Sequence, residues 1–127
     1  MGHSYGGLVA LYHAALDNRV AFACSSGAVC SFEVRREAGT GINMFEVVPG
    51  LGNQIETHDL LTAIATRPML VVSATEDPYA QDADHVLARV AHPSLEHLRV
   101  DGPHALDPAR YDAIVTWVRN QTAPNSA

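Results

Sequence analysis

The chain has 127 residues, 47% of them hydrophobic and 17% charged, with a formal net charge of −6. That is one domain's worth of a globular protein rather than a disordered one, and no apolar run approaches the ~20 residues that cross a bilayer. Lys and Arg stand singly apart from Arg35-Arg36, so no basic face offers itself to a phosphate backbone, and neither nucleic acid nor membrane is an expected partner.

The chain opens on Gly2-His3-Ser4-Tyr5-Gly6. This fits G-x-S-x-G, in which a strand breaks sharply into a helix and presents a serine hydroxyl at a sheet edge. A turn so tight predicts that a Cβ at Gly2 or Gly6 would collide with the backbone, and that Ser4 sits in a strained conformation kept for chemistry. A plain Gly-rich turn is the competing reading of these five residues. His3 is expected to pack under the turn. Leu8, Leu11, Tyr12, Ala15 and Leu16 then recur at helical spacing, predicting a helix whose positive end points at the serine, with the Tyr5 N–H as one donor to an oxyanion. Asp17-Asn18-Arg19 stops it, and the unalternating run Val20 to Cys24 reads as a strand covered on both faces, ended by Ser25-Ser26-Gly27.

Residues 28–57 are irregular, broken by Gly39, Gly41, Pro49, Gly50 and Gly52 around apolar pieces such as Met44-Phe45. At about 30 residues this excursion is long enough for a lid or pocket wall; a surface decoration is the alternative. Arg35 and Arg36 within it would meet an acidic substrate group or simply be solvated. Leu60, Leu61 and Ile64 suggest a short helix ending before Pro68, and Met69 to Ala74 is a second buried strand closed by Thr75-Glu76-Asp77-Pro78. Ala83, Val86, Leu87 and Val90 mark another helix. Leu95 to Val100 is a third strand, shorter and more polar, as at a sheet edge. Asp101-Gly102-Pro103-His104 follows, then a helix capped by Asp107 with Pro108 in its first turn and a stripe of Tyr111, Ile114, Val115 and Val118, with Trp117 near that face. Residues 120–127 read as a disordered tail. Cys24 and Cys30, too few for a disulfide framework, are expected to be buried. Neither the seven histidines nor any other group has metal-ligand spacing, so no metal or other cofactor is expected.

The alternation of helix and strand predicts an α/β fold with about three parallel strands and helices on both faces. All strand C-termini then share one edge, where such sheets bind ligands. That edge gathers Ser4, the loop of Glu76 and Asp77, and the loop of His104.

These stretches carry a resemblance. Gly2-His3-Ser4-Tyr5-Gly6-Gly7, Arg67 to Ser73 leading to Glu76-Asp77, and Gly102-Pro103-His104-Ala105 before a Trp-containing helix are similar to the C-terminal half of an α/β-hydrolase. The branch is that of dienelactone hydrolases, acetyl xylan esterases and prolyl oligopeptidase-like enzymes. The resemblance covers residues 1–119 and implies a serine hydrolase acting on a small-molecule ester. Ser4 would be the nucleophile, Asp77 the orienting acid in preference to Glu76, His104 the base and then the acid, and Tyr5 N–H one oxyanion donor. A peptide or thioester substrate stays open. The resemblance also implies that the strand leading into Ser4, the earlier strands and the loop carrying a second oxyanion donor are absent. A fragment is therefore expected, and a non-catalytic remnant or assembly module is the alternative, self-associating or complemented through an exposed sheet edge. No export signal precedes Gly2, so a cytoplasmic location is expected, with a lost leader left open.

Overall fold

The computed structural model describes residues 1–40, 48–64 and 66–123. The Met44-Phe45 part of the excursion and the last four residues of the tail lie outside the described residues.

The elements run β1 (Gly2–His3), α1 (Tyr5–Leu16), β2 (Ala23–Ser26), α2 (Phe32–Ala38), a 3₁₀ turn (Leu51–Asn53), α3 (Thr57–Ile64), β3 (Met69–Ala74), α4 (Ala83–Leu87), β4 (Leu95–Val100) and α5 (Pro108–Thr122). The sheet has the order β1-β2-β3-β4 and every pairing is parallel. Three strands were expected; a fourth, β1, is a two-residue stub that pairs Gly2 with Ser25 and His3 with Ser26.

β3 shows why the fold is layered. Its six residues are all buried, and because successive side chains leave a strand on opposite faces, Met69 and Val71 enter one core while Leu70 and Val72 enter another. The first core takes Leu11 and Ala14 from α1, Leu60, Leu61 and Ile64 from α3, and Ala83 and Val86 from α4. The second takes Ile114 and Trp117 from α5, with Cys24 from β2. Each fully buried Leu, Ile or Val stabilises the sandwich by about 1.5 to 3 kcal/mol relative to leaving it exposed.

Several elements differ from the sequence reading. β2 begins at Ala23, with Ala21 exposed, and runs on through Ser25 and Ser26. Those serines tolerate full burial because each hydroxyl has a partner: Ser25 Oγ donates to the Gly7 carbonyl at 2.9 Å, and Ser26 Oγ lies 3.0 Å from His3 Nδ1. α1 buries Gly7, Leu8, Leu11 and Ala14, with Tyr12 and Ala15 packed against the same core, so the expected stripe fails only at Leu16, which is 80% exposed. α5 likewise buries Arg110, Ile114 and Trp117 and leaves Tyr111 exposed, because the Trp117 indole donates to Glu96 on β4 at 2.8 Å. α5 also continues to Thr122, past the point where the tail was expected to begin. β4 is the polar edge strand anticipated, but as long as β3. Cys24 and Cys30 are buried free thiols, pushed up to about 11 and about 12, chiefly by burial.

Opposite the edge that carries Ser4, Arg67 ties three segments together. Its guanidinium donates to the carbonyls of Ala14, Asp17, Val20 and Ile64 at 2.8 to 3.1 Å. The orphan carbonyls ending α1 and α3 are thereby satisfied by one side chain.

Candidate active site

The turn from β1 to α1 holds Ser4 at φ 56° and ψ −124°, the one non-glycine residue with positive φ among the described residues. Such a conformation costs on the order of 1 to 3 kcal/mol and persists only where its surroundings over-determine it. Here they do. Ser4 N–H donates to the Ser26 carbonyl at 2.8 Å, and the Ser4 carbonyl accepts from Gly7 and Leu8. A Cβ on Gly2 would stand 2.0 Å from the Gly6 carbonyl oxygen, and one on Gly7 would stand 2.7 Å from the Ser26 carbonyl oxygen. Gly6, expected to be sterically required, is not: a Cβ there meets nothing within 4 Å. Gly7 carries the constraint instead, since it is the residue that faces β2.

Asp77 and His104 arrive on loops that follow β3 and β4. The loops are laced together: Thr75 N–H donates to the Val100 carbonyl, Glu76 N–H to the Gly102 carbonyl, and Gly102 N–H to Thr75 Oγ1. Gly102 takes φ 106° to turn the chain there. The result brings three sequence-predicted side chains into one line. His104 Nε2 lies 2.7 Å from Ser4 Oγ, and His104 Nδ1 lies 2.9 Å from both oxygens of Asp77. A carboxylate only accepts, so the proton of the neutral imidazole sits on Nδ1 and Nε2 is left to accept from the serine hydroxyl. The Asp77 side chain is 0% exposed and also accepts from the Tyr79 N–H at 2.9 Å. Glu76, the rival acid, is exposed.

Three features of the site were not singled out from sequence. Gly27, read only as a strand terminator, has φ 62°, and a Cβ there would lie 2.9 Å from His104 Cε1 and 3.1 Å from Asp77 Oδ2; its lack of a side chain makes room for the pair. Tyr79 lays its ring 4.6 Å from that of His104. Arg110, on α5, is fully buried behind Asp77. A glycine, a tyrosine and an arginine with no local motif give no signal until the loops are assembled. His3 packs beside the site as expected, its ring 4.8 Å from that of His104. Burial first, then the charges of Arg110 and His104, hold His3 below the ordinary imidazole value, so it stays neutral beside His104.

Tyr5 opens the first turn of α1, so its N–H belongs to the positive end of that helix, directly after the serine. A cavity of about 280 Å³ adjoins Ser4, lined also by Tyr5, Leu8, Gly27, Arg35, Thr40 and Tyr79. Arg35 and Thr40 bring the excursion to its wall. Arg36 is exposed, whereas Arg35 is 4% exposed and donates to the Ala28 carbonyl. A second, more apolar groove of about 310 Å³ runs along α1 past Val9, Tyr12, His13 and Leu16 to Val48.

No protein-family model and no curated protein matches the sequence. Solved structures do. A promiscuous CE15 esterase from a marine bacterial metagenome is 23% identical, with a TM-score of 0.62 over 93% of this chain and 40% of its own. The 2,6-dihydroxy-pseudo-oxynicotine hydrolase is also 23% identical, with a TM-score of 0.62 over 91% of this chain and 38% of its own. The esterase Pf2001 of Pyrococcus furiosus is 14% identical, with a TM-score of 0.55 over 94% and 49%. The likeness is one of fold, and the chain spans less than half the length of each of these structures.

Proposed function

On the α/β-hydrolase fold that the chain carries in part, we propose a serine hydrolase centre that cleaves a carboxylic ester through an acyl-serine intermediate. One observation carries the reading: a strained, partly exposed Ser4 whose hydroxyl is 2.7 Å from an imidazole that is itself 2.9 Å from a fully buried carboxylate. A serine hydroxyl is hardly ionised near neutral pH, so attack needs a base within hydrogen-bond reach.

Ser4 Oγ attacks the ester carbonyl carbon as its proton passes to His104 Nε2. The imidazolium so formed is stabilised by Asp77, which stays ionised. The carbonyl electron pair moves onto oxygen, and the Tyr5 N–H at the head of α1 is the donor aimed at that charge. Collapse of the adduct breaks the bond to the alkoxy group, which takes the proton from His104 and leaves as alcohol. Water then repeats the sequence on the acyl-serine, His104 accepting its proton and returning one to Ser4. The cavity of about 280 Å³ suits a small acyl group. The wider likeness to dienelactone hydrolases and acetyl xylan esterases rests on the elbow, acid and histidine stretches alone.

Incubating the purified chain with a fluorophosphonate probe tests the reading. Labelling of folded protein that disappears in Ser4→Ala supports it, and a panel of aryl esters, a thioester and a peptide then ranks the substrates. Absence of labelling on a demonstrably folded chain overturns it. That result would favour a non-catalytic assembly module, for which there is one specific observation. Beside β1, Leu106, Tyr111, Ile114 and Val115 form an apolar hollow of about 150 Å³ with Met1, and Met1, Leu106 and Tyr111 are all exposed.

A further inference from the structure

Arg110 is the largest fully buried side chain among the described residues, and it lies in the first turn of α5. Nothing in the sequence suggests burial there, since a guanidinium cannot shed its charge and is almost never fully buried unless paired. Its contacts account for it. Nη1 donates to the carbonyls of His104 at 3.0 Å and Ala105 at 3.2 Å, and Nη2 stands 3.5 Å from Asp77 Oδ2, with both side chains 0% exposed. Among the described residues Asp77 is its one counter-ion, while Nε and Nη2 make no hydrogen bond. A cation so buried is costly unless paired, and so is the carboxylate it faces.

We propose that Arg110 is a positioning residue for the hydrolytic centre, one guanidinium tying the His104 backbone to α5 while standing as the counter-charge beside the buried Asp77. The inference rests on the reading of Ser4, Asp77 and His104 given above. Two separate things must hold for the imidazole to take a proton from Ser4. The His104 loop must not drift, because the hydrogen bond to Ser4 spans loops on different strands. Asp77 must also stay charged although water cannot reach it, or it cannot stabilise the imidazolium. Arg110 serves both needs because Nη1 donates to the loop carbonyls while Nη2 places its charge 3.5 Å from the carboxylate. Its field extends across the site, as the depression of the neighbouring His3 imidazole by burial and then by the Arg110 charge indicates.

The test uses the full chain as wild type, Arg110→Met and Arg110→Lys, each checked for folding by thermal melting, with two readouts. One is the rate of fluorophosphonate labelling against pH. The other is the downfield Nδ1 proton signal of His104 in NMR, which needs no reaction at all. Arg110→Met removes both the tie to the His104 loop and the counter-charge beside Asp77. The rate at its plateau should fall by about 10- to 100-fold as the loop loosens, and the Nδ1 signal should broaden or vanish. Arg110→Lys restores the charge but not the fork, so the rate and the signal should still suffer. A folded Arg110→Met with wild-type labelling rate and wild-type Nδ1 signal overturns the proposal. If Arg110→Met does not fold, an Arg110→Lys variant indistinguishable from wild type overturns it. Should the folded wild type fail to label, the hydrolase reading falls, and the Nδ1 signal alone decides whether Arg110 positions His104.

Discussion

Among the described residues serine, histidine and aspartate line up in two chains, and the two have different settings. Ser4, His104 and Asp77 form the first. In the second, Ser73 Oγ on β3 lies 2.8 Å from His97 Nε2 on β4, and His97 Nδ1 lies 3.3 Å from Asp84 Oδ1 on α4. The residue types and the atoms in contact are the same. The settings are opposite. Ser73 is 2% exposed within a regular strand, whereas Ser4 is partly exposed at φ 56° at the head of a helix. Asp77 is shut away from water; Asp84 is 58% exposed and shared with Arg99, where solvent screens it. A relay therefore needs more than reach: an attackable hydroxyl, a helix end to receive negative charge, and an acid whose field is not dissipated.

The acids separate the two chains most widely. Asp77→Asn should lower the fluorophosphonate labelling rate by about 10⁴-fold, because an amide no longer fixes the proton on Nδ1. Asp84→Asn and Glu76→Gln should each leave the rate within about twofold, since neither carboxylate reaches His104. Equal losses in Asp77→Asn and Asp84→Asn would erase the distinction.

The glycines sharpen it next, because the elbow has a steric scaffold that the Ser73 chain lacks. Gly2→Ala and Gly7→Ala each drive a methyl into backbone atoms and should cost at least about 1 to 3 kcal/mol in thermal unfolding. Gly6→Ala meets open space inside a helix and should instead stabilise by about 0.5 to 1 kcal/mol. A stable Gly2→Ala variant would mean that the turn is looser than its contacts imply.

What could be read in advance follows the same division. The Ser4 turn, the run of β3 and the Asp107-Pro108 start of α5 announce themselves because each is a local rule: a steric pattern, a both-faces-buried strand, a cap. Asp107 Oδ1 does accept from Arg110 N–H at 2.8 Å. The stripes of α1 and α5 hold along most of their length and fail at Leu16 and Tyr111, while Gly7 and Arg110, outside both stripes, are buried by tertiary contacts that periodicity does not report. Gly27, Arg67 and Arg110 were invisible as organisers for a shared reason. Each acts on backbone or side chains that only the folded chain brings near, and an isolated glycine or arginine looks solvated until then. Ser73 was read only as part of the strand leading to Asp77, and His97 only as part of the edge strand, so their contact went unforeseen.

The histidines offer a pH-dependent contrast of moderate size. Burial, outweighing the pull of Asp84 and aided by the Arg99 charge, holds His97 below its ordinary value of 6.5. Between the unfolded value and the lower folded one, the unfolded chain binds more protons, so stability rises with pH through that window. It is fully present above about pH 6.5 and is lost as pH falls toward the folded value. His97→Gln should flatten that part of the stability curve, measured by denaturant unfolding at several pH values, and leave the midpoint of labelling unmoved. A shift in labelling would connect two chains that the structure keeps apart.

Ser73→Ala is the smallest expected effect and the most exacting check. It removes one hydrogen bond between neighbouring strands, worth about 0.5 to 1.5 kcal/mol, and water can replace part of it because the His97 side chain is 21% exposed. Labelling should be unaffected, since the adduct forms on Ser4 alone. A fluorophosphonate adduct mapped to Ser73 by mass spectrometry, or a labelling rate that falls with Ser73→Ala, would mean that the strand opens far enough to expose a second nucleophile. Access rather than composition is what distinguishes the two serines, so that single outcome would remove the basis for assigning the chemistry to Ser4.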